Sequence, residues 1–88
     1  MTYRLELAGR AERYFNRLDA SMKARVSLRF KEILADPFNQ DVGKPLVGKQ
    51  GLRSSRVGSL RILYRVYDEQ ILVLVERIAP RGQVYRDL

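Results

Sequence analysis

The chain has 88 residues, with 17 Lys and Arg against 10 Asp and Glu, and its formal net charge is +7 at pH 7. The absence of His and Cys excludes zinc fingers, thiol proteases, Ser-His-Asp hydrolases and disulfide-stapled secreted mini-proteins. A content of 45% hydrophobic residues suffices for one compact core, so we expect a single domain spanning residues 1–88.

The first half of the chain predicts one strand followed by two helices. Apolar and polar residues alternate over Thr2–Leu7, which predicts a short strand. Apolar residues then recur at helical spacing over Ala8–Leu18 and again over Met22–Leu34. Either Asp19 or Ser21 can cap the second helix. Because the connection is so short, we expect the two helices to pack as an antiparallel hairpin.

The second half predicts a loop and three strands. The second helix ends at Asp36-Pro37, since the residue before proline disfavours the helical conformation. A loop containing several Pro and Gly residues follows over Phe38–Gly51. The predicted strands and their connecting turns are Arg53–Val57, the turn Gly58-Ser59, Leu60–Tyr67, the turn Asp68-Glu69, and Ile71–Ala79.

The order β-α-α-β-β-β predicts an α+β domain with a helical hairpin packed on one face of a small, mostly antiparallel sheet. The strand Ile71–Ala79 is apolar at both odd and even positions, so we expect it inside the sheet with both faces covered. No apolar run reaches 18 residues, and the start of the chain does not resemble a signal peptide. We therefore expect a cytoplasmic protein without membrane contact.

The hairpin turn at Gly58-Ser59 places two arginines opposite each other. With a two-residue turn, Arg56 opposes Arg61, and both share a face with Ser54 and Arg65. Opposed Cβ atoms lie roughly 4.5–5.5 Å apart, where like charges are destabilising. An anion between the two guanidinium groups removes this cost, and a phosphate of RNA or DNA fits their geometry.

A second interpretation of Arg61 is purely structural. If Asp68-Glu69 is also a two-residue turn, Arg61 faces Glu76 and forms an ordinary cross-strand salt bridge. The predicted geometry alone leaves both interpretations open.

The segment between Val42 and Tyr67 contains no acidic residue but many cations. Such a distribution suits nucleic-acid binding, although a solvated charged surface explains it equally well. The further candidate RNA-binding residues are Lys44, Lys49, Arg53 and Arg65.

A last candidate region follows the third strand of the second half. Arg81 stands between Pro80 and Gly82, and Tyr85 follows four residues later. Short loops at sheet ends are common positions for functional residues. The alternative is that Tyr85 packs over the sheet edge and Arg81 is solvated.

Two motifs resemble those of the RelE branch of the RelE/ParE superfamily of type II toxins. The first is Gly43-Lys44-Pro45-Leu46 followed by the stretch Gly51–Tyr64, which reads GLRSSRVGSLRILY. The second is the ending Arg77–Arg86, which reads RIAPRGQVYR. Together with the element order, the resemblance covers nearly the whole chain.

The resemblance implies a ribosome-dependent mRNA endonuclease that requires no metal and no cofactor. By position, Arg61, Arg81 and Tyr85 match the active-site arginines and terminal tyrosine of the family, and Arg56 lies near a residue that the best-known members supply as lysine. A second such lysine has no clear counterpart, and Pro80 replaces the His or Lys often found before the tail arginine. The implied catalytic set is therefore Arg56, Arg61, Arg81 and Tyr85.

The same resemblance implies the partners of the protein. These are the ribosome and its mRNA, together with a cognate RelB-like antitoxin whose complex with the toxin can bind its own operator DNA. Two rival functions share this fold. One is a ParE-like inhibitor of DNA gyrase, and the other is a catalytically silent module that binds RNA or the ribosome.

Overall fold

A computed structural model of the protein describes residues 2–82. The helices and strands are β1 (Arg4–Leu7), α1 (Gly9–Asn16), α2 (Ala20–Ala35), β2 (Lys44–Pro45), β3 (Leu52–Val57), β4 (Leu60–Tyr67) and β5 (Leu72–Pro80). The α+β class and the order of the predicted elements are confirmed. The addition is β2, which lies in the segment predicted as a loop and is too short to produce an alternating pattern in the sequence.

The five strands form one mixed sheet in the order β1-β5-β4-β3-β2. The β1–β5 pair is parallel and the other pairs are antiparallel, as predicted for a mostly antiparallel sheet. The strand β5 lies inside the sheet, between β1 and β4. The two helices pack on one face, where the main core contains Ala11, Val26, Phe30, Ile33, Val57, Leu60, Ile62, Tyr64, Val73, Val75 and Ile78.

The second helix begins because Asp19 caps it. The Asp19 carboxylate accepts a hydrogen bond from the Met22 backbone N–H at 2.8 Å, so Asp19 rather than Ser21 is the cap. Such a cap stabilises a helix by about 1 kcal/mol. Neither helix in the described part of the chain has the length and apolar composition needed to cross a membrane.

The register of the β3–β4 hairpin is the predicted one. Arg56 pairs with Arg61, and Val57 pairs with Leu60 across the Gly58-Ser59 turn. Gly58 has a φ of 56°, a conformation that glycine adopts without steric cost. Local turn chemistry therefore places the two arginines side by side on the face away from the helices.

The connection between β4 and β5 differs from the prediction. Instead of a two-residue turn at Asp68-Glu69, a 3₁₀ turn spans Asp68–Gln70 and Ile71 adopts the left-handed conformation with a φ of 51°. Asp-Glu lacks the glycine that a tight two-residue hairpin turn favours, so the chain uses a longer connection. Arg61 consequently pairs with Ala79, and the predicted pairing of Arg61 with Glu76 is wrong.

A β-bulge in β5 also changes the register. Leu63 pairs with Arg77 whereas the next residue of β4, Tyr64, pairs with Val75, so Glu76 is the extra residue. A bulge shifts the alternation of side chains beyond it by one position. Val75 and Ile78 can therefore both join the helix-covered core, which explains why the strand is apolar at both odd and even positions.

Candidate functional site

A cleft of about 500 Å³ opens on the sheet face away from the helices. Its walls are Arg29 of α2, residues 40–47, Ser54 and Arg56 of β3, and Arg61 of β4. We call this site the arginine cleft. Within the described chain, four cationic side chains line it, namely Arg29, Lys44, Arg56 and Arg61, against the single carboxylate of Asp41. The cleft therefore has an excess of positive charge suited to an anion.

Arg61 is the central residue of the arginine cleft. Its side chain is half-buried, and one Nη lies 3.5 Å from the hydroxyl oxygen of Ser54. The Nε of Arg61 is buried, and no acceptor within residues 2–82 bonds to it. A buried donor without an acceptor costs about 1–3 kcal/mol. An anion bound in the cleft can supply this acceptor.

Arg56 stands opposite Arg61 and is exposed, and its backbone is fixed from below by Arg29. One Nη of Arg29 donates to the backbone oxygen of Arg56 and to the hydroxyl oxygen of Ser55, both at 2.7 Å. The Nε of Arg29 donates to Glu32 at 2.9 Å. Sequence reasoning missed Arg29, because its place on the polar side of the helical pattern indicates only exposure.

Arg65 lies on the same face of β4 but has a different environment. Its Nε donates to the carboxylate of Glu76 at 2.5 Å, and one Nη donates to the backbone oxygen of Gln50 at 2.8 Å. Glu76 thus neutralises Arg65 rather than Arg61. The structure does not bring Arg65 into the arginine cleft, and its contacts are those of a structural residue.

Two other candidate residues lie away from the arginine cleft. Arg53 donates to the backbone oxygen of Gly43 at 2.9 Å and to the Tyr64 hydroxyl at 3.3 Å, and it stacks 5.6 Å from the centre of the Phe38 ring. Arg53 and Lys49 line a separate pocket of about 340 Å³. Of the four candidate RNA-binding residues, only Lys44 lines the arginine cleft.

Gly43 allows the wall of the cleft to approach the core. A Cβ atom at Gly43 would collide with the hydroxyl group of Tyr64, which is fully buried and donates to the backbone oxygen of Pro37 at 3.0 Å. The next residue, Lys44, begins β2 and is placed at the cleft by this contact.

Arg81 and Tyr85 belong to the end of the chain. The Arg81 backbone N–H donates to the Ser59 oxygen at 2.9 Å, which extends the β4–β5 ladder by one bond, and its side chain is exposed. Arg81 therefore lies at the same end of the sheet as the Gly58-Ser59 turn, near the arginine pair. Tyr85 lies outside the described residues.

The opposite end of the sheet carries acidic residues. The Tyr3 hydroxyl donates a hydrogen bond to the carboxylate of Asp68, in the turn between β4 and β5. This hydrogen bond is the largest cause that raises the pKa of Tyr3 above its usual value, followed by desolvation and the negative charges of Asp68 and Asp36. The acidic end is thus distinct from the arginine cleft.

These features define a small basic α+β protein with an open, arginine-lined site for an anion. Comparison with known proteins agrees with this class. The family model described as ParE toxin of the type II toxin–antitoxin system parDE matches residues 5–85. Toxin RelG of Mycobacterium tuberculosis is 33% identical over 88 residues, which cover 98% of this chain and 99% of that protein. The chain belongs to the RelE/ParE superfamily of type II toxins.

Solved structures share the same fold. The toxin–antitoxin complex RelBE2 from Mycobacterium tuberculosis contains a chain with 29% identity and a TM-score of 0.75, and the match covers 92% of this chain and 100% of that one. The isolated RelE toxin of E. coli matches with 24% identity and a TM-score of 0.79, covering 97% of this chain and 93% of that one. A RelE–RelB complex from Pyrococcus horikoshii has 21% identity and a TM-score of 0.80, with 94% and 99% coverage.

Proposed function

We propose that this toxin is a ribosome-dependent mRNA endonuclease that inhibits translation. The observation that carries the proposal is the buried Nε of Arg61, which faces no acceptor within residues 2–82 and lies beside a second arginine, Arg56. A phosphodiester supplies non-bridging oxygens to both guanidinium groups, and charge-assisted hydrogen bonds of this kind are strong.

The reaction is an attack by the 2′-OH of the RNA on its own adjacent phosphate. The 2′-oxygen forms a bond to phosphorus while the bond to the 5′-oxygen breaks, leaving a 2′,3′-cyclic phosphate and a 5′-OH end. A base takes the proton of the 2′-OH, and the departing 5′-oxygen receives a proton. Arg56 and Arg61 stabilise the extra negative charge on phosphorus-bound oxygens in the transition state.

The remaining roles follow from the family resemblance. Tyr85 is the base, and cationic neighbours favour its phenolate form. Arg81, at the end of β5, stabilises the leaving oxygen by hydrogen bonding. Tyrosine is a slow base at neutral pH, so the ribosome supplies much of the rate by orienting the message.

Translation of a defined message in a purified system tests the proposal. Wild-type protein should produce message fragments with 5′-OH ends, only when ribosomes are present, and Arg61→Ala and Tyr85→Phe should each abolish them. Message that stays whole while both variants still bind ribosomes would show a silent binding module instead.

Inhibition of DNA gyrase is the second candidate function, because the matching family model is that of ParE toxins. A supercoiling assay with purified gyrase separates the two functions. Arrested supercoiling together with intact message would select the gyrase function, whereas cleaved message with unaffected supercoiling would select the endonuclease.

An antitoxin partner is part of the proposal. We expect a RelB-like antitoxin to lay an amphipathic helix over the apolar surface beside the arginine cleft, where Val47 is 97% exposed and Phe38 is 50% exposed. The complex is proposed to bind its own operator DNA. Co-expression should relieve growth inhibition and yield a stable complex, whereas a toxin that is harmless when overexpressed alone would contradict this part of the proposal.

A further inference from the structure

A second cationic site lies at the free edge of β5. The strand β1 pairs only with the first part of β5, up to Val75, so the later part of β5 has no strand on that side within residues 2–82. A pocket of about 280 Å³ occupies this position, between residues 77–80 of β5 and the side chains of Arg10, Tyr14 and Arg17 of α1. We call it the edge pocket.

The edge pocket is held open by defined contacts. Arg10, Tyr14 and Arg17 follow one another at i, i+4 and i+7, so they form a single stripe along α1. The Nε of Arg10 donates to the backbone oxygen of Glu76 at 3.3 Å, which fixes this guanidinium at the strand edge. In the described part of the chain, neither Arg10 nor Arg17 forms a salt bridge with a carboxylate.

The chemistry of the edge pocket fits a nucleotide. Guanidinium groups bind phosphate, and the half-buried ring of Tyr14 offers a surface on which a base can stack. Pro80 lacks a backbone N–H, which makes this edge a poor place for an added peptide strand. A nucleic acid strand therefore fits the pocket better than a peptide strand does.

The position of the edge pocket relates it to the arginine cleft. Ala79 lines the edge pocket and is also the direct cross-strand partner of Arg61. Neighbouring strands are about 4.8 Å apart, so the two sites are separated by roughly two strand spacings. A short stretch of single-stranded RNA spans such a distance.

We infer that the edge pocket binds a nucleotide of the same single-stranded RNA strand whose phosphodiester lies in the arginine cleft. This inference rests on the proposed function, because it extends the RNA path from the reacting phosphate to a flanking position. The RNA then crosses β4 and β5 rather than running along them.

Binding of uncleavable 2′-O-methyl RNA tests the inference separately from cleavage. An RNA of about 12 nucleotides is titrated with wild-type protein and with the double variant Arg10→Ala/Arg17→Ala, between about 50 and 200 mM salt. The double variant should raise Kd at least about tenfold. It should also reduce the slope of log K against log salt by about 1.4, since each lost phosphate contact accounts for about 0.7.

Two controls make the result specific. Arg13→Ala removes the same charge from α1 but not from the edge pocket, so it should change neither Kd nor the slope. An RNA of about three nucleotides, too short to reach both sites, should bind the double variant less than about threefold more weakly than the wild type. Thermal unfolding of each variant confirms that it is folded.

The inference is overturned if the wild type binds no RNA, or if Arg13→Ala weakens binding as much as the double variant. It is also overturned if the double variant keeps its affinity for RNA and loses affinity for a polyglutamate peptide, since that result identifies an acidic protein partner. Intact RNA binding without message cleavage, in contrast, would contradict only the proposed endonuclease function.

Discussion

Arg61 and Arg65 lie on the same face of the same strand, and the fold treats their charges in opposite ways. Arg65 is held by Glu76 at 2.5 Å and by the backbone oxygen of Gln50 at 2.8 Å. Arg61 has a buried Nε that bonds to nothing within residues 2–82, and its cross-strand neighbours are Arg56 and Ala79. The contrast separates an arginine that stabilises the sheet from one that is kept available for an external anion.

The contrast extends to the two ends of the sheet. The end at the β3–β4 turn gathers cations, and Arg81 is placed there by its bond to Ser59. The end at the β4–β5 turn carries Asp68, which accepts a hydrogen bond from Tyr3. Because charges of one sign are collected at one end only, an RNA phosphate is attracted to the arginine cleft rather than to the sheet as a whole.

The largest expected difference is between Arg61→Gln and Arg65→Gln. Loss of a donor that stabilises transition-state charge typically costs 100- to 1000-fold in rate, so Arg61→Gln should reduce message cleavage by about that factor. Arg65→Gln should keep cleavage within about threefold but lower the free energy of unfolding by about 1 kcal/mol. Quantified fragment yields and urea unfolding measure the two effects. Equal losses of cleavage in the two variants would contradict the distinction.

Giving Arg61 a carboxylate partner should convert it into a second Arg65. In Ser54→Asp, the new carboxylate replaces the hydroxyl group that lies 3.5 Å from an Nη of Arg61, so it should neutralise the arginine. We expect cleavage to fall at least about tenfold without loss of thermal stability. Ser54→Asn, with the same shape and no charge, is the matched control. The interpretation fails if both variants lose the same activity.

Removing the partner of Arg65 should affect stability alone. In Glu76→Gln the ion pair is lost, and both side chains are partly exposed, so the free energy of unfolding should fall by about 1 kcal/mol or less. The effect should shrink at high salt, where charges are screened. Glu69→Gln, in an exposed turn position, should unfold like the wild type. Reduced cleavage in Glu76→Gln would show that Arg65 also belongs to the site.

The smallest expected effect concerns pH at the acidic end of the sheet. Because the pKa of Tyr3 is raised in the folded state, its hydrogen bond to Asp68 stabilises the fold below the ordinary tyrosine pKa. This contribution should be lost as the pH rises through the raised pKa. In Asp68→Asn, NMR titration should show Tyr3 ionising at lower pH than in the wild type, while message cleavage is unchanged. An unchanged titration would mean that another group causes the shift.

The sequence was sufficient to predict the features that depend on short-range rules. The Gly58-Ser59 turn determines the β3–β4 register, and this register alone places Arg56 opposite Arg61. The class of fold followed from alternation and helical spacing, and the cap at Asp19 was one of two positions that the sequence offered.

Features that depend on longer-range packing could not be predicted. Ile71 is β-branched, so its left-handed conformation contradicts its own preference, and the surrounding fold must impose it. The bulge at Glu76 leaves no mark in a strand that is apolar throughout. Arg29 has an ordinary place on a polar helix face, and only the packing of α2 on β3 brings its guanidinium to the backbone of Arg56.

The bulge in β5 has a consequence for how the length of the chain can change. Glu76 is the residue without a counterpart in β4, so a protein lacking it can keep the pairs Leu63–Arg77 and Arg61–Ala79 unaltered. Such a shortened strand would still bury Ile78 against the helices, and the loss would be confined to the partner of Arg65. The strand thus carries one spare position, at which a codon can disappear without rearranging the arginines that face the proposed substrate.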